Sequence, residues 1–305
     1  MNTVYRDKNG KPLSRQTVLA LPPDALQEKS GIPVKCAPDY ETLYEAVADE
    51  MIEVLRERKG AKTVMILPVG PVQQYPVFAR KVAEQRIDCR RLWTINMDEF
   101  LDRNGRTIPA AHPMSFRKTM LEQFYERIPE ALRMPPAQML FPRHDNMDEI
   151  NRAFDEHAPD GVDLCLAGVG PEGHFAFNED PNFGHVEVPD EEFLADRTRL
   201  VLVNTSTVDM DALVASCGDR SAVPPFAVTI GPHDVLRSKR MRVVFFAGMF
   251  QRLALRETLF RVPTPRFPGS LLKLRKMPDG ALVPQDITVW TTPVEAGPVV
   301  SQTIA

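Results

Sequence analysis

The sequence predicts an α/β protein with a doubly wound, mostly parallel sheet flanked by helices. Two observations predict it. Short apolar runs of strand length alternate along the chain with segments whose apolar residues recur at helical spacing. Turn formers and carboxylates gather just after several of those runs, where open α/β sheets carry their binding sites.

The elements follow in order. Residues 1–37 are rich in turn formers and precede any long periodic segment, so they read as an N-terminal extension lying on the body or partly disordered. Leu43, Val47, Met51, Val54 and Leu55 then mark an amphipathic helix ending near Gly60, followed by a buried strand at 63–67 that Pro68-Val69-Gly70-Pro71 breaks. A helix over 72–85 leads to a strand at 91–97 that ends on Asp98-Glu99. A polar loop to Pro113 precedes a helix at 115–127, and the third strand covers 163–167. Further strands are expected at 200–203, 226–230, 242–247 and 287–290, with a helix at 250–259. One domain spans 38–293, and 294–305 reads as a loose tail. The segment 184–223 interrupts the alternation and reads equally as a cover over the site or as a surface excursion.

Composition narrows the function. The 305 residues suffice for a full core, the formal net charge is −4, and Lys and Arg are scattered, so the chain carries no electrostatic footprint for nucleic acid. The densest basic run, Arg237-Ser238-Lys239-Arg240, reads as a solvated corner between elements. Cys36, Cys89, Cys165 and Cys217 stand far apart without a CxxC pair, which suits reduced structural thiols. No segment is long and apolar enough to span a bilayer, and the polar start MNTVYRDKNGKPLSRQ lacks a secretory apolar region; a cytoplasmic protein with no membrane partner is expected.

The chemistry concentrates at residues 162–181. There VDLCLAGVGPEGHFAFNEDP runs a buried strand into a glycine-rich turn and presents Glu172, His174 and Glu179 within eight residues. That is acid–base equipment at a strand's carboxyl end, as are Asp98 and Glu99 at another. Gly168, Gly170 and Gly173 satisfy G-x-G-x-x-G, but a dinucleotide fingerprint needs a helix opening at the third glycine, and Glu179-Asp180-Pro181 leaves no room for one. Glu172 would also repel a pyrophosphate. No His/Cys set with metal spacing is present, so neither metal nor organic cofactor is expected.

Several ordered segments over residues 40–292 resemble the glucosamine-6-phosphate deaminase/isomerase family, which shares its fold with the 6-phosphogluconolactonases. NMDEF at 96–100 resembles the family's strand-end Asp-Glu pair, and AAHPMSF at 110–116 its His-Pro-x-Ser-Tyr segment. GVGPEGHFAFNEDP is similar to its Gly-x-Gly-x-Asp-Gly-His-x-Ala-Phe-Asn-Glu-Pro loop, whose Phe-Asn-Glu ending favours the deaminase branch over the lactonases. Arg197-Thr198-Arg199, Ala227-Val228-Thr229-Ile230-Gly231 and Pro268-Gly269-Ser270-Leu271-Leu272 continue the likeness in order.

The resemblance implies roles. Asp98 would take the C2 proton of an open-chain amino sugar and return it to C1. His174 would shuttle the ring-oxygen proton, with Glu179 orienting it and Glu172 standing where the family has an Asp. Glu99 reads as a turn or cap residue. Gly70, Gly170, Gly173 and Arg199 would contact substrate, and the partners would be a sugar or amino sugar and further copies of the chain.

The likeness fails at one subsite. The family holds the sugar phosphate with a Ser/Thr-Gly-Gly-Ser/Thr-Pro loop, where this chain has Val69-Gly70-Pro71-Val72-Gln73: the proline lacks an N–H donor and the valines carry no hydroxyl, so most of that cradle is gone. Leu213 and Pro225 align with a phosphate-binding Arg and Lys, and Arg275 with a His. Arg197, Arg199, Arg117 or Lys118 would have to compensate. The expected function is amino-sugar isomerisation and deamination on an altered substrate; lactone hydrolysis and non-catalytic sugar sensing are the alternatives.

Overall fold

The computed structural model describes residues 4–181, 188 and 190–300. Seven parallel strands form the central sheet in the spatial order Val34–Cys36, Ile287–Thr291, Met241–Val244, Leu164–Gly168, Thr63–Leu67, Leu92–Asn96, Met139–Leu140. The chain runs outward from Thr63–Leu67 on one side, then returns to lay Leu164–Gly168 against its other side. The order of winding therefore reverses between those two strands, and a crevice opens beyond their carboxyl ends.

Both faces of this sheet are covered. Val64, Ile66, Cys165, Ala167 and Val243 join one hydrophobic core, while Met65, Leu67, Leu164, Leu166 and Val244 join the other. Alternate side chains point to opposite faces, so a strand covered on both sides must be apolar throughout, as Thr63–Leu67 nearly is. The helix Tyr40–Glu57 shows the corresponding logic at period 3.6. Asp39 caps it by accepting from the Thr42 amide at 2.8 Å, and Leu43, Val47, Met51, Val54 and Leu55 are all buried on one face.

Three sequence expectations change. Residues 4–37 are more than an extension, because Val34–Cys36 pairs with Ile287–Thr291 as the sheet's edge strand and Leu26 and Val18 are buried in the core. The segments expected as strands near 200 and 226 leave the parallel sheet: Arg199–Leu202, Phe226–Thr229 and Asp98–Leu101 form a separate antiparallel sheet. A third core of Phe100, Ile108, Met114, Phe177, Val203, Ala212, Val223 and Ala227 packs beside it. The start of the tail is also tied down, since Pro293–Ala296 is helical, Ala296 is buried, and its carbonyl accepts from the buried Arg256 guanidinium at 3.0 Å. Residues 301–305 of that tail lie outside the described residues, as do 184–187 and 189 of the segment expected as a cover.

Among the described residues no helix is long and apolar enough to cross a membrane. All four cysteines are free, with Cys89 and Cys165 buried.

Candidate active site

Met97 joins the two sheets. Its amide donates to Leu67 O at 3.1 Å in the parallel sheet, and its carbonyl accepts from Ile230 N at 2.9 Å beside the antiparallel one. The next residue, Asp98, therefore begins a new strand, opposite Thr229, instead of ending the old one. This places its side chain in a cavity of about 440 Å³ at the switch point, whose floor and walls include Gly70, Gly170 and His174.

Glycine lets the two loops meet. A Cβ on Gly168 would lie 2.2 Å from Gly70 O, and one on Gly170 would lie 2.4–2.8 Å from three atoms of the His174 ring. Gly173, at φ +100°, turns the chain back so that its own space is filled by Phe267. It does not line the cavity and serves the turn, while Gly70 and Gly170 do line it. After Gly173 comes a tight turn with Ala176 at φ +50° and Asn178 N donating to Phe175 O, not a helix, so this loop offers no helix N-terminus to a pyrophosphate.

His174 is held from behind. Its Nδ1 pairs with Glu172, and the Thr207 hydroxyl lies 3.4 Å from the same nitrogen. Thr207 Oγ1 is also 2.8 Å from Glu172 Oε1 and 2.5 Å from Glu179 Oε1. The other Glu179 oxygen accepts from Asn204 N at 2.7 Å, at the start of the helix Thr205–Ala215. One hydroxyl proton cannot serve two carboxylates at once. Burial raises the Glu179 pKa above the ordinary range, while the hydrogen bonds from the Thr207 hydroxyl and the Asn204 amide oppose that rise.

The charges follow from these contacts. Burial opposes ionisation of both Glu172 and His174, but their mutual attraction outweighs it, taking Glu172 down to about 2 and His174 up to about 9. Burial pushes the Asp98 carboxyl up to about 8, with Glu99 and then Asp211 adding to the effect and His174 opposing it. Burial likewise takes Asp211 up to about 6, against the attraction of His174. The site thus offers an imidazolium acid and a carboxyl poised near neutrality.

Thr207 and Asp211 were not singled out in the sequence. The readable signal is spacing: Thr207, Met210, Asp211, Val214 and Ala215 recur at helical intervals, and all five face the cavity from one helix. Arg199, expected at the substrate, is engaged elsewhere, donating to Asn178 Oδ1 at 2.9 Å and pairing with Asp196 at 3.0 Å. Arg197 pairs with Asp155 and Asp234, and Arg117 lies over the Phe141 ring. Among the described residues no Lys or Arg lines the cavity.

Glu172, His174 and Glu179 bring donor atoms within 4.8 Å of one another, the one metal-type grouping among the described residues. The Thr207 hydroxyl already bridges the carboxylates and Glu172 already takes His174 Nδ1, so these donors satisfy each other.

The central parallel sheet flanked by helices is the fold of solved glucosamine-6-phosphate deaminase and 6-phosphogluconolactonase structures. A monomeric glucosamine-6-phosphate deaminase, described as a missing link of the NagB superfamily, superposes with a TM-score of 0.70 at 22% identity, over 87% of this chain and 98% of that one. The 6-phosphogluconolactonase of Thermotoga maritima gives 0.58 at 17% identity, over 85% and 98%. No family profile matches the chain. In sequence it is 28% identical over 234 residues to the glucosamine-6-phosphate deaminase of Porphyromonas gingivalis, covering 73% of this chain and 80% of that one. It is 25% identical over 241 residues to glucosamine-6-phosphate deaminase 2 of Bacillus subtilis, covering 78% and 89%. In sequence and in fold the chain is thus similar to the glucosamine-6-phosphate deaminase/isomerase family.

Proposed function

We propose that the protein is an acid–base enzyme that isomerises and deaminates an amino sugar lacking the phosphate, with Asp98, His174, Glu172 and Glu179 as its working groups. The observation that carries this reading is the shared cavity of Asp98 and His174 in a chamber without a Lys or Arg side chain among the described residues. A phosphate dianion buried there would lose its hydration with no guanidinium or ammonium donor in return.

The chemistry suits the charges. The His174 imidazolium gives a proton to the ring oxygen as the C1–O bond opens. Opening leaves an aldehyde at C1 as its hydroxyl gives up a proton; Asp98, once ionised, takes the proton from C2, that electron pair forms the C1–C2 double bond, and the carbonyl pair moves onto O1, which takes up a proton to give the enolamine. The proton returns to C1, and the resulting C2 imine takes up water and releases ammonia. Glu172 holds the imidazole in place, and Glu179 acts on it through Thr207. Lactone hydrolysis on this fold would need His174 as a base, and a histidine lifted to about 9 is already protonated at neutral pH.

The test is proton exchange. Incubation in D2O with glucosamine, galactosamine, mannosamine and their 6-phosphates, followed by NMR and an ammonia assay, is expected to show loss of the C2–H signal and ammonia from a free amino sugar. Asp98→Asn is expected to abolish both. Turnover of the 6-phosphates in preference to the free sugars would refute the altered substrate, and no exchange with any of them would refute the enzyme.

A further inference from the structure

The cavity is polarised along its length. Asp98, 7% exposed, lies at the inner end and its carboxyl accepts no hydrogen bond from any described residue, and the Asp211 carboxyl lines the same space without a hydrogen bond or ion pair from a described residue. Toward solvent Val214 is 64% exposed and Phe250 45% exposed, and Val69 and Phe246 add apolar surface to the same lining. Two unpartnered carboxyl groups inside and an apolar rim outside make a poor home for an anion. They match a cation that carries an apolar group.

We propose that the cavity selects an amino sugar bearing an apolar substituent at its far end: the ammonium sits between Asp98 and Asp211, and the substituent packs against Val69, Val214, Phe246 and Phe250. The inference rests on the amino-sugar reading and adds to it the identity of the distal group. For a hexosamine whose C2 must reach Asp98 at the inner end, the end that emerges at the rim is C6. A substituent there covers the exposed Val214 and Phe250 surface, so the same contacts that exclude water from the reacting carbons also recognise the substrate. Asp211 supplies the second carboxylate that an ammonium group needs once water has left.

Binding to the intact protein tests it by calorimetry, with 6-O-benzylglucosamine, 6-O-benzylglucose, glucosamine and glucosamine 6-phosphate as probes. The first is expected to bind at least about tenfold more tightly than each of the other three, a margin of about 1.4 kcal/mol. Asp211→Asn is expected to weaken 6-O-benzylglucosamine about tenfold and leave 6-O-benzylglucose unchanged. Val214→Lys, on the exposed rim where folding is not at stake, is expected to weaken both benzyl probes and to strengthen glucosamine 6-phosphate. Tighter binding of the 6-phosphate to the unaltered protein, equal binding of the amine and its hydroxyl analogue, or no binding of any probe would overturn the inference. The expected ranking without C2 exchange would leave the inference standing and remove the enzyme reading alone.

Discussion

Asp98 and Glu99 are neighbours in one strand with opposite fates: four donors converge on the Glu99 carboxylate, and no described residue donates to Asp98. Glu99 takes the amides of Phe100, Phe116 and Arg117 at 2.8–3.0 Å and the Ser115 hydroxyl at 3.0 Å, fixing the start of the helix Phe116–Gln123. Glu99→Ala would leave those buried donors unmatched beside the cavity. It is expected to destabilise the fold by about 3 kcal/mol, read from urea unfolding. Glu99→Gln should lose part of that, because its amide nitrogen faces N–H donors.

Asp98→Asn should do the reverse to stability. A carboxyl lifted from 3.8 to about 8 keeps its proton in the folded state after the unfolded chain has released it, so its contribution is present in acid and is lost as pH rises across that window. Asparagine imitates the protonated form at every pH. The variant is expected to match the parent at pH 4 and to be more stable at pH 9 by more than about 1 kcal/mol, measured by denaturant unfolding at both values. A parent that gains stability over this range relative to the variant would contradict the buried placement of Asp98.

His174 titrates with its partner. Its raised pKa gives stability that is complete below 6.5 and lost as pH climbs through about 9, whereas the depressed Glu172 gives stability present above 4.5 and lost as pH falls through about 2. The pair therefore contributes most between 4.5 and 6.5. NMR of the imidazole is expected to place the His174 midpoint near 9, and Glu172→Gln should lower it by about 2 units as burial regains control. An unmoved midpoint would mean that Glu172 is not its counter-ion.

Thr207 is expected to act as a positioning residue. Thr207→Val removes the hydroxyl between the two glutamates, whose hydrogen bond holds the pKa of Glu179 down. The pKa of Glu179 then rises further. The acid limb of the pH–rate profile should move to higher pH, with kcat reduced about tenfold to a hundredfold, and Thr207→Ser should restore both. A loss of kcat without a shift of the limb would assign Thr207 to packing alone.

What the sequence revealed divides along physical lines. The helix Tyr40–Glu57 was readable because its five apolar positions and Asp39 cap act locally, and the buried parallel strands because both of their faces are apolar. The meeting of Asp98 with His174 in one cavity, and of His174 with Glu172 and Glu179, was legible only through the ordered segments that resemble the family's motifs. The antiparallel sheet was misplaced because Leu200 and Leu202 are exposed, so Arg199–Leu202 shows little of the alternation a half-buried strand displays. The helix Met147–His157 carries little apolar periodicity in the sequence, since its buried face rests on only Ile150, Ala153 and Phe154. Arg199 looked like a ligand because the residues that occupy it, Asn178 and Asp196, are brought there by folding, and nothing in its local spacing announces them.

The two glycines of the His174 turn separate catalysis from folding. Gly170 has an ordinary backbone angle, so Gly170→Ala is compatible with the chain path, but its methyl group would collide with the His174 ring. The ring must swing away from Glu172, and kcat is expected to fall about a hundredfold or more with little change in melting temperature. Gly173 stands at φ +100° with the Phe267 ring 2.4–2.7 Å from where a Cβ would lie. Gly173→Ala therefore meets both backbone strain and overpacking, and is expected to lose several kcal/mol, about 3 or more, seen as poor soluble yield or a lowered unfolding midpoint. Paired melting and C2-exchange measurements decide it: an inactive, stable Gly170→Ala beside an unstable Gly173→Ala supports the assignment, and the opposite pattern would place the imidazole elsewhere.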